Sequence, residues 1–267
     1  MPDFPPDTVA FITGAASGIG FAVARQLILD GVTNLALIDL SPVPLISTTE
    51  NLLSLPKKST ILTLSYDVSV EDEVDRAMSE TIQKFGRIDI CFNAAGVLGK
   101  RTGTADAESV SLDNVLDVNL KGLWFCERAE LRQFLKQEER DVCTGLPFKT
   151  RGSILNVGSI ASHLGLPNSA PYAMSKHGVL GLTRTDSTNY ASKGIRINCI
   201  CPGFIHTPMV ATFLGNEDEK SAILNRSPVV RLGLPEEVAY TAVFLLSDRA
   251  SFITGAGIDV DGGWSSH

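Results

Sequence analysis

The chain has 267 residues, 44% hydrophobic and 20% charged, the range of a soluble globular protein with one large α/β domain or two small ones. A net charge of −7 without a basic tract weighs against nucleic acid as a partner, and no 18-residue apolar run offers a membrane span. The first residues show no secretory signal, the five cysteines form no C-x-x-C, and the four histidines lack metal-ligand spacing, so we expect a cytoplasmic protein with reduced thiols and no catalytic metal.

Residues 8–13 form a short apolar strand that runs into Gly14-Ala-Ala-Ser17-Gly18-Ile19-Gly20. A helix follows, with Ile19, Ala22, Val23 and Leu27 at helical spacing. Strand, glycine-rich turn and helix let a backbone approach a pyrophosphate while a helix N-terminus offers it N–H groups. The spacing G-x-x-x-G-x-G differs from the standard G-x-G-x-x-G, and a tight turn without a ligand is the plain alternative. A second strand, 34–39, ends in Asp39, 19 residues after Gly20. A carboxylate there accepts from a ribose 2′-OH and repels a 2′-phosphate. Leu40, Ser41 and Pro42 follow without a cation, so NAD is preferred and NADP comes second, unless Asp39 is an ordinary strand-end acid.

Residues 41–58 read as an irregular connection with a short helix. A third strand, 60–66, leads to Asp67 and Val68, and a helix over about 70–85 carries Val74, Ala77, Met78, Ile82 and Phe85 on one stripe. A fourth strand, 88–92, exits into Asn93-Ala94-Ala-Gly96, small residues that leave room for a flat ligand. This alternation predicts a doubly wound parallel sheet with ligands beyond the carboxyl ends of its strands.

A helical segment from about 108 to 137 contains Asn119. The polar stretch 137–152 is long for a connection and reads as a surface insertion away from the site, since it precedes a strand. The fifth strand, 154–157, leads to Ser159. Tyr172 and Lys176 then share one helical face, behind an N-cap at Asn168 or Ser169 and with Pro171 in the first turn. A cation there is expected to pull the phenol below its usual pKa of about 10. Such pairs also stand on exposed helices without a chemical role.

The sixth strand, 195–201, is followed by Pro202-Gly203-Phe-Ile205-His-Thr207. Residues 206–227 mix the apolar anchors Met209, Val210, Phe213 and Leu214 with a charged run at 216–220, which reads as an amphipathic lid over a substrate pocket. A last long helix starts at Pro235, and 258–260 is the seventh strand. Trp264 suits packing, an interface or a substrate wall. No repeat or linker divides the chain, so a single domain over 1–267 is expected.

Taken in order, Thr13-Gly-x-x-x-Gly18-Ile-Gly20, Asn93-Ala-Ala-Gly96, Asn119, Ser159, Tyr172-x-x-x-Lys176 and Pro202-Gly203 resemble the classical short-chain dehydrogenases/reductases from near residue 8 to the C-terminus. The departures are Asn93-Ala94, where the family often has Asn-Asn, and the long 137–152 stretch. The resemblance implies a Rossmann-like α/β fold, a parallel sheet of seven strands with helices on both faces. It implies an NAD(P)-dependent oxidoreductase that interconverts a secondary alcohol and a ketone. Tyr172 would be the general acid/base and Lys176 would lower its pKa and hold the nicotinamide ribose. Ser159 would bind the substrate oxygen, and Asn119 would hold a relay water. Gly14, Ser17, Gly18, Ile19, Gly20, Asp39, Asp67, Val68, Asn93, Ala94, Gly96, Pro202, Gly203, Ile205 and Thr207 would join Tyr172 and Lys176 around the cofactor. A homotetramer or homodimer is implied as well.

Two other readings stand beside this one. One is a reductase that also steers a cyclisation or isomerisation in a natural-product pathway. The other is a non-catalytic cofactor-binding scaffold, expected to have lost Tyr172, Lys176 or Ser159. Ser159 lies in Val-Gly-Ser-Ile-Ala rather than G-x-S-x-G, which argues against a hydrolase. His163 suits a substrate contact or a plain loop residue.

Overall fold

The computed structural model describes residues 3–214 and 217–266, with the side chains of 217–219 and 222 set aside. In chain order the elements are β1 (Val9–Thr13), α1 (Gly18–Leu29), β2 (Asn34–Asp39), α2 (Pro42–Leu53), β3 (Thr60–Ser65), α3 (Glu71–Phe85), β4 (Ile90–Asn93), α4 (Ser109–Leu116) and α5 (Leu123–Phe134). They continue with β5 (Arg140–Asp141), β6 (Lys149–Thr150), β7 (Gly152–Val157), α6 (Ala170–Tyr190), β8 (Ile195–Pro202), α7 (Pro208–Phe213), α8 (Glu217–Arg226), α9 (Pro235–Leu246) and β9 (Gly257–Val260). The seven expected strands form one parallel sheet in the order β3-β2-β1-β4-β7-β8-β9.

The sheet is covered on both faces, so its central strands read as nearly continuous apolar runs. Ile12, Leu35, Leu37, Phe92, Leu155 and Ile200 point to the face covered by α1 and α9, where Val23, Leu27, Val238 and Ala242 pack. Phe11, Ile38, Cys91, Ile154 and Ile197 point to the opposite face and meet Val74 and Met78 of α3 and Phe125 and Phe134 of α5. Each such large side chain contributes about 1.5–3 kcal/mol by leaving water. Local signals fix the helix ends. Helix α3 begins with Glu71, Asp72 and Glu73 at its positive dipole end and stops at Gly86, whose φ of 82° is left-handed.

The long helix expected over 108–137 is three pieces. Between α4 and α5, Asp117–Gly122 forms a π-turn that contains Asn119. Gly122 explains the close fit of this turn: a Cβ there would stand 2.9 Å from the Val68 carbonyl oxygen. The turn adds a single residue within otherwise helical backbone, too short an interruption to stand out in a segment of about 30 residues.

The 137–152 stretch is an antiparallel β5–β6 hairpin rather than an open loop. Its Arg140 forks onto Asp248 through two bonds of 2.8 and 3.0 Å and approaches Asp89. Asp89 accepts the backbone N–H of Val9 at the start of β1. The hairpin is therefore tied to the amino ends of the strands. The 206–227 stretch contains α7 and α8; residues 215 and 216 of the expected charged run lie outside the described residues. Among the described residues no helix is long and apolar enough to cross a membrane.

Candidate active site

The carboxyl ends of β1, β2, β4, β7 and β8 open onto one cleft of about 480 Å³. Its first wall is the glycine turn. Gly14 has a φ of 67°, and a Cβ on it would stand 2.7 Å from the Ala94 carbonyl carbon. A Cβ on Gly20 would stand 2.1 Å from the Gly14 carbonyl oxygen. No other residue lets the turn fold back on itself while β4 exits beside it. Gly14, Ser17, Gly18, Ile19 and Gly20 all line the cleft, with the N-terminus of α1 facing it.

Asp39 lines the cleft at the end of β2, held by the N–H groups of Ala16 and Ser41, each at 3.0 Å. Asp67 and Val68 line it after β3, and Asp67 accepts from the Ser69 backbone and hydroxyl. Ala94, Gly96, Pro202, Gly203, Ile205 and Thr207 complete the expected set on the wall. Asn93 differs. Its buried side chain donates away from the cleft, to Glu130 Oε2 and Asn156 Oδ1, both at 3.1 Å.

Ser159, Tyr172 and Lys176 stand on one wall. Ser159 caps a short 3₁₀ turn, accepting from Ala161 N–H at 3.1 Å, and Tyr172 occupies the first turn of α6 with Pro171 ahead of it. The Lys176 ammonium is buried and donates to the Val157 carbonyl at 2.7 Å, 5.7 Å from the centre of the Tyr172 ring. Asn119 does not reach the wall. It lies behind Gly96, where a Cβ would meet Asn119 Oδ1 at 3.2 Å and Lys176 Nζ at 3.8 Å.

The electrostatics depart from expectation at Tyr172. Burial raises its pKa, and the hydrogen bond from Ser159 only partly opposes this. The Lys176 ammonium donates to the Val157 carbonyl, and burial rather than the lysine sets the direction of the phenol's shift. Burial lowers Lys176 itself to about 8, with the thiols of Cys199 and Cys201 acting in the other direction.

Sequence reasoning missed several wall residues. Val97 follows the Asn93–Gly96 motif directly, and Asn114 and Val118 lie four residues apart ahead of Asn119, a helical spacing that points them the same way. Met209 and Val210, expected as anchors of a lid over the pocket, do come to the wall, on α7. His163 does not line the cleft; its Nε2 turns to Asp259 Oδ1 at 3.3 Å. Trp264 is buried against Phe204 with the Arg226 guanidinium over its ring, outside the cleft.

A family model described as enoyl-(acyl carrier protein) reductase matches residues 14–265. A short-chain dehydrogenase of Aspergillus ruber is 36% identical over 262 residues, covering 95% of each chain. The levodione reductase of Leifsonia aquatica is 34% identical over 266 residues, 97% of this chain and 95% of that one. The chain belongs to the short-chain dehydrogenase/reductase family. It is an NAD(P)-dependent oxidoreductase. A solved levodione reductase structure superposes with a TM-score of 0.90 at 34% identity over 98% of both chains. A cyclohexanol dehydrogenase of an Acinetobacter species is 34% identical over 258 residues, 97% of this chain and 95% of that one. The cleft fits the dinucleotide this family uses. Its glycine turn is too tight for a side chain at Gly14 or Gly20, the α1 N-terminus faces the opening, and β2 ends in a carboxylate.

Proposed function

We propose that the enzyme interconverts a secondary alcohol and a ketone, prefers NAD(H), and uses Tyr172 as its proton-exchanging group. The observation that carries this reading is the content of the wall. Among the described wall residues, the titratable groups are Asp39, Tyr66 and Asp67 at the β2 and β3 exits, and Tyr172 and Lys176 beside the β7 exit. The last two share the β7 exit with the Ser159 hydroxyl, which can hold a carbonyl oxygen.

The bound nicotinamide supplies or takes the hydride. In ketone reduction the substrate oxygen accepts from Ser159 and Tyr172, and Tyr172 gives up its proton as the alcohol forms. Burial keeps Tyr172 protonated at neutral pH, the state a proton donor needs. Lys176 sits beneath it as a charged neighbour, and Asn119 positions the 96–97 backbone beside Lys176. Gly14, Ser17, Gly18, Ile19 and Gly20 would hold the pyrophosphate. Asp39 would take the adenosine ribose, Asp67 and Val68 the adenine, and Ile205 and Thr207 the carboxamide. Asn93 would act from behind, by fixing the β4 exit. The Acinetobacter relative named as a cyclohexanol dehydrogenase supports the alcohol/ketone class.

Helices α7 and α8 would form the substrate lid, with Arg101 donating to the Phe213 carbonyl at 3.1 Å and lying over the Phe213 ring. The exposed Tyr240 and Phe244, four apart on α9, support assembly as a homotetramer or homodimer, readable by light scattering. Four buried free cysteines suit a cytoplasmic setting. The decisive test is Tyr172→Phe. It should abolish turnover on every alcohol or ketone accepted by the native enzyme while NAD(H) still binds, and near-normal turnover would sink the mechanism.

A further inference from the structure

Strand β8 alternates, so Cys199 and Cys201 point to the same face, the one covered by α6. The parallel β8–β9 register sets Gly257 opposite Cys199 and Asp259 opposite Cys201. His163, just past the Ser159 turn, reaches over the bare Gly257, where a Cβ would stand 3.5 Å from its Cε1. Three distant segments thus bring a thiol, an imidazole and a carboxylate to one spot, with the Cys199 thiol 3.8 Å from that of Cys201. The donor atoms of His163, Cys201 and Asp259 all lie within 4.8 Å of one another.

The distances can be compared with those around a tetrahedral zinc. With Zn–S of about 2.3 Å, two sulfurs on one zinc stand about 3.8 Å apart; with Zn–N and Zn–O of about 2.0–2.1 Å, a nitrogen and an oxygen stand about 3.3 Å apart. Cys199 Sγ and Cys201 Sγ are 3.8 Å apart, and His163 Nε2 and Asp259 Oδ1 are 3.3 Å apart. The His163–Asp259 distance suits one edge of a coordination tetrahedron with Cys201 as its third protein donor, and Cys199 stands beside Cys201 without joining the converging donors.

We propose that His163, Cys201 and Asp259 form a binding site for Zn²⁺ or a similarly thiophilic divalent cation, separate from the dinucleotide cleft. The donor set suits zinc, since thiolate and imidazole favour it over Mg²⁺ or Ca²⁺. Binding releases the Cys201 thiol proton to solvent as the Zn–S bond forms, with no change of oxidation state. The cation has a way in, because the side chains of His163 and Asp259 are 28% and 39% exposed while both thiols are buried. The buried Lys176 ammonium, electrostatically linked to both thiols, offsets part of the negative charge that the ligands bring. No spacing in the sequence announces the site, because 163, 201 and 259 meet only through sheet register.

The test is titration of the full chain, kept reduced with a phosphine, with Co²⁺ and then Zn²⁺. One equivalent of Co²⁺ per chain should give the near-ultraviolet band of a thiolate–cobalt bond, and Zn²⁺ should bleach it. Cys201→Ser should remove the band. His163→Ala and Asp259→Asn should each weaken binding at least about tenfold, the loss that even an outer partner of a metal ligand causes. NADH fluorescence checks that each variant is folded; the partly exposed His163 and Asp259 keep the test decisive should the buried serine variant fail to fold. A missing thiolate band, or binding unchanged in both His163→Ala and Asp259→Asn, would overturn the proposal.

Discussion

Asn119 and Val97 hold each other in both directions. The Val97 N–H donates to Asn119 Oδ1 at 2.7 Å, and Asn119 Nδ2 donates back to the Val97 carbonyl at 2.8 Å. One side chain thus satisfies both polar backbone groups of the residue that leaves the cofactor wall. The π-turn aims Asn119 there, and its Nδ2 also reaches Ser175 Oγ in α6. Asn119→Ala should leave two backbone groups unpartnered at about 1–3 kcal/mol each, and lower kcat with them. Asn119→Asp should keep the Val97 N–H bond and lose the return bond, for an intermediate cost. Urea unfolding alongside steady-state kinetics checks both; equal losses in the two variants would contradict this account.

Lys176 has a folded pKa of about 8, so it sheds its charge just above neutrality. The enzyme should therefore lose ketone-reducing kcat/KM as pH rises through about 8, with Tyr172 still protonated there. Lys176→Met should be slow at all pH values and lack this limb. A profile for the variant that still bends near pH 8 would assign the titration to another group.

Glu130 and Glu127 are buried on α5, where Asn93 donates to one and Asn156 to the other. Burial pushes Glu130 up to about 8 and Glu127 well above its ordinary value. The folded chain then holds a proton that the unfolded chain releases above about pH 4.3. This contribution is fully present below that pH and is lost as pH rises through about 8, with a slope of up to about 1.4 kcal/mol per pH unit per group. The melting temperature should fall across this window, and Glu130→Gln should flatten the fall. Parallel curves for the two proteins between pH 5 and 9 would place the proton elsewhere.

Gly20 has a stricter constraint than its neighbours, since a Cβ there meets the Gly14 carbonyl oxygen at 2.1 Å, backbone against backbone. Gly20→Ala should open the turn and abolish dinucleotide binding, measured by NADH fluorescence. Retained affinity would mean that the turn has a slack it does not display.

Asp39 is already held by two N–H groups, and in the reading proposed above its carboxylate would take the adenosine ribose. Asp39→Ser should narrow the gap between NAD(H) and NADP(H) by relieving repulsion of a 2′-phosphate. Titration of both dinucleotides against both proteins checks this, and a native preference for NADP(H) would contradict it.

The sheet and the exits of β1, β2, β4, β7 and β8 were legible because two signals coincide there, a buried apolar run and then small or polar residues. Three features were not legible, each for a physical reason. The π-turn at Asn119 interrupts the helical backbone too briefly to stand out in the sequence. Asn93 lies two residues after Cys91 and so shares its inward face, which the strand's alternation carried but the motif obscured. The pKa of Tyr172 depends on burial, a tertiary quantity that the spacing of Tyr172 and Lys176 does not carry, and burial outweighs the Ser159 hydrogen bond.

The β5–β6 hairpin has a practical use. It hangs from Arg140 and Asp248 at the amino ends of the strands, and Gly145 near its tip has no neighbour within 4 Å of an added Cβ. This is where the chain can be lengthened, labelled or anchored to a solid support with the cleft left facing the solution.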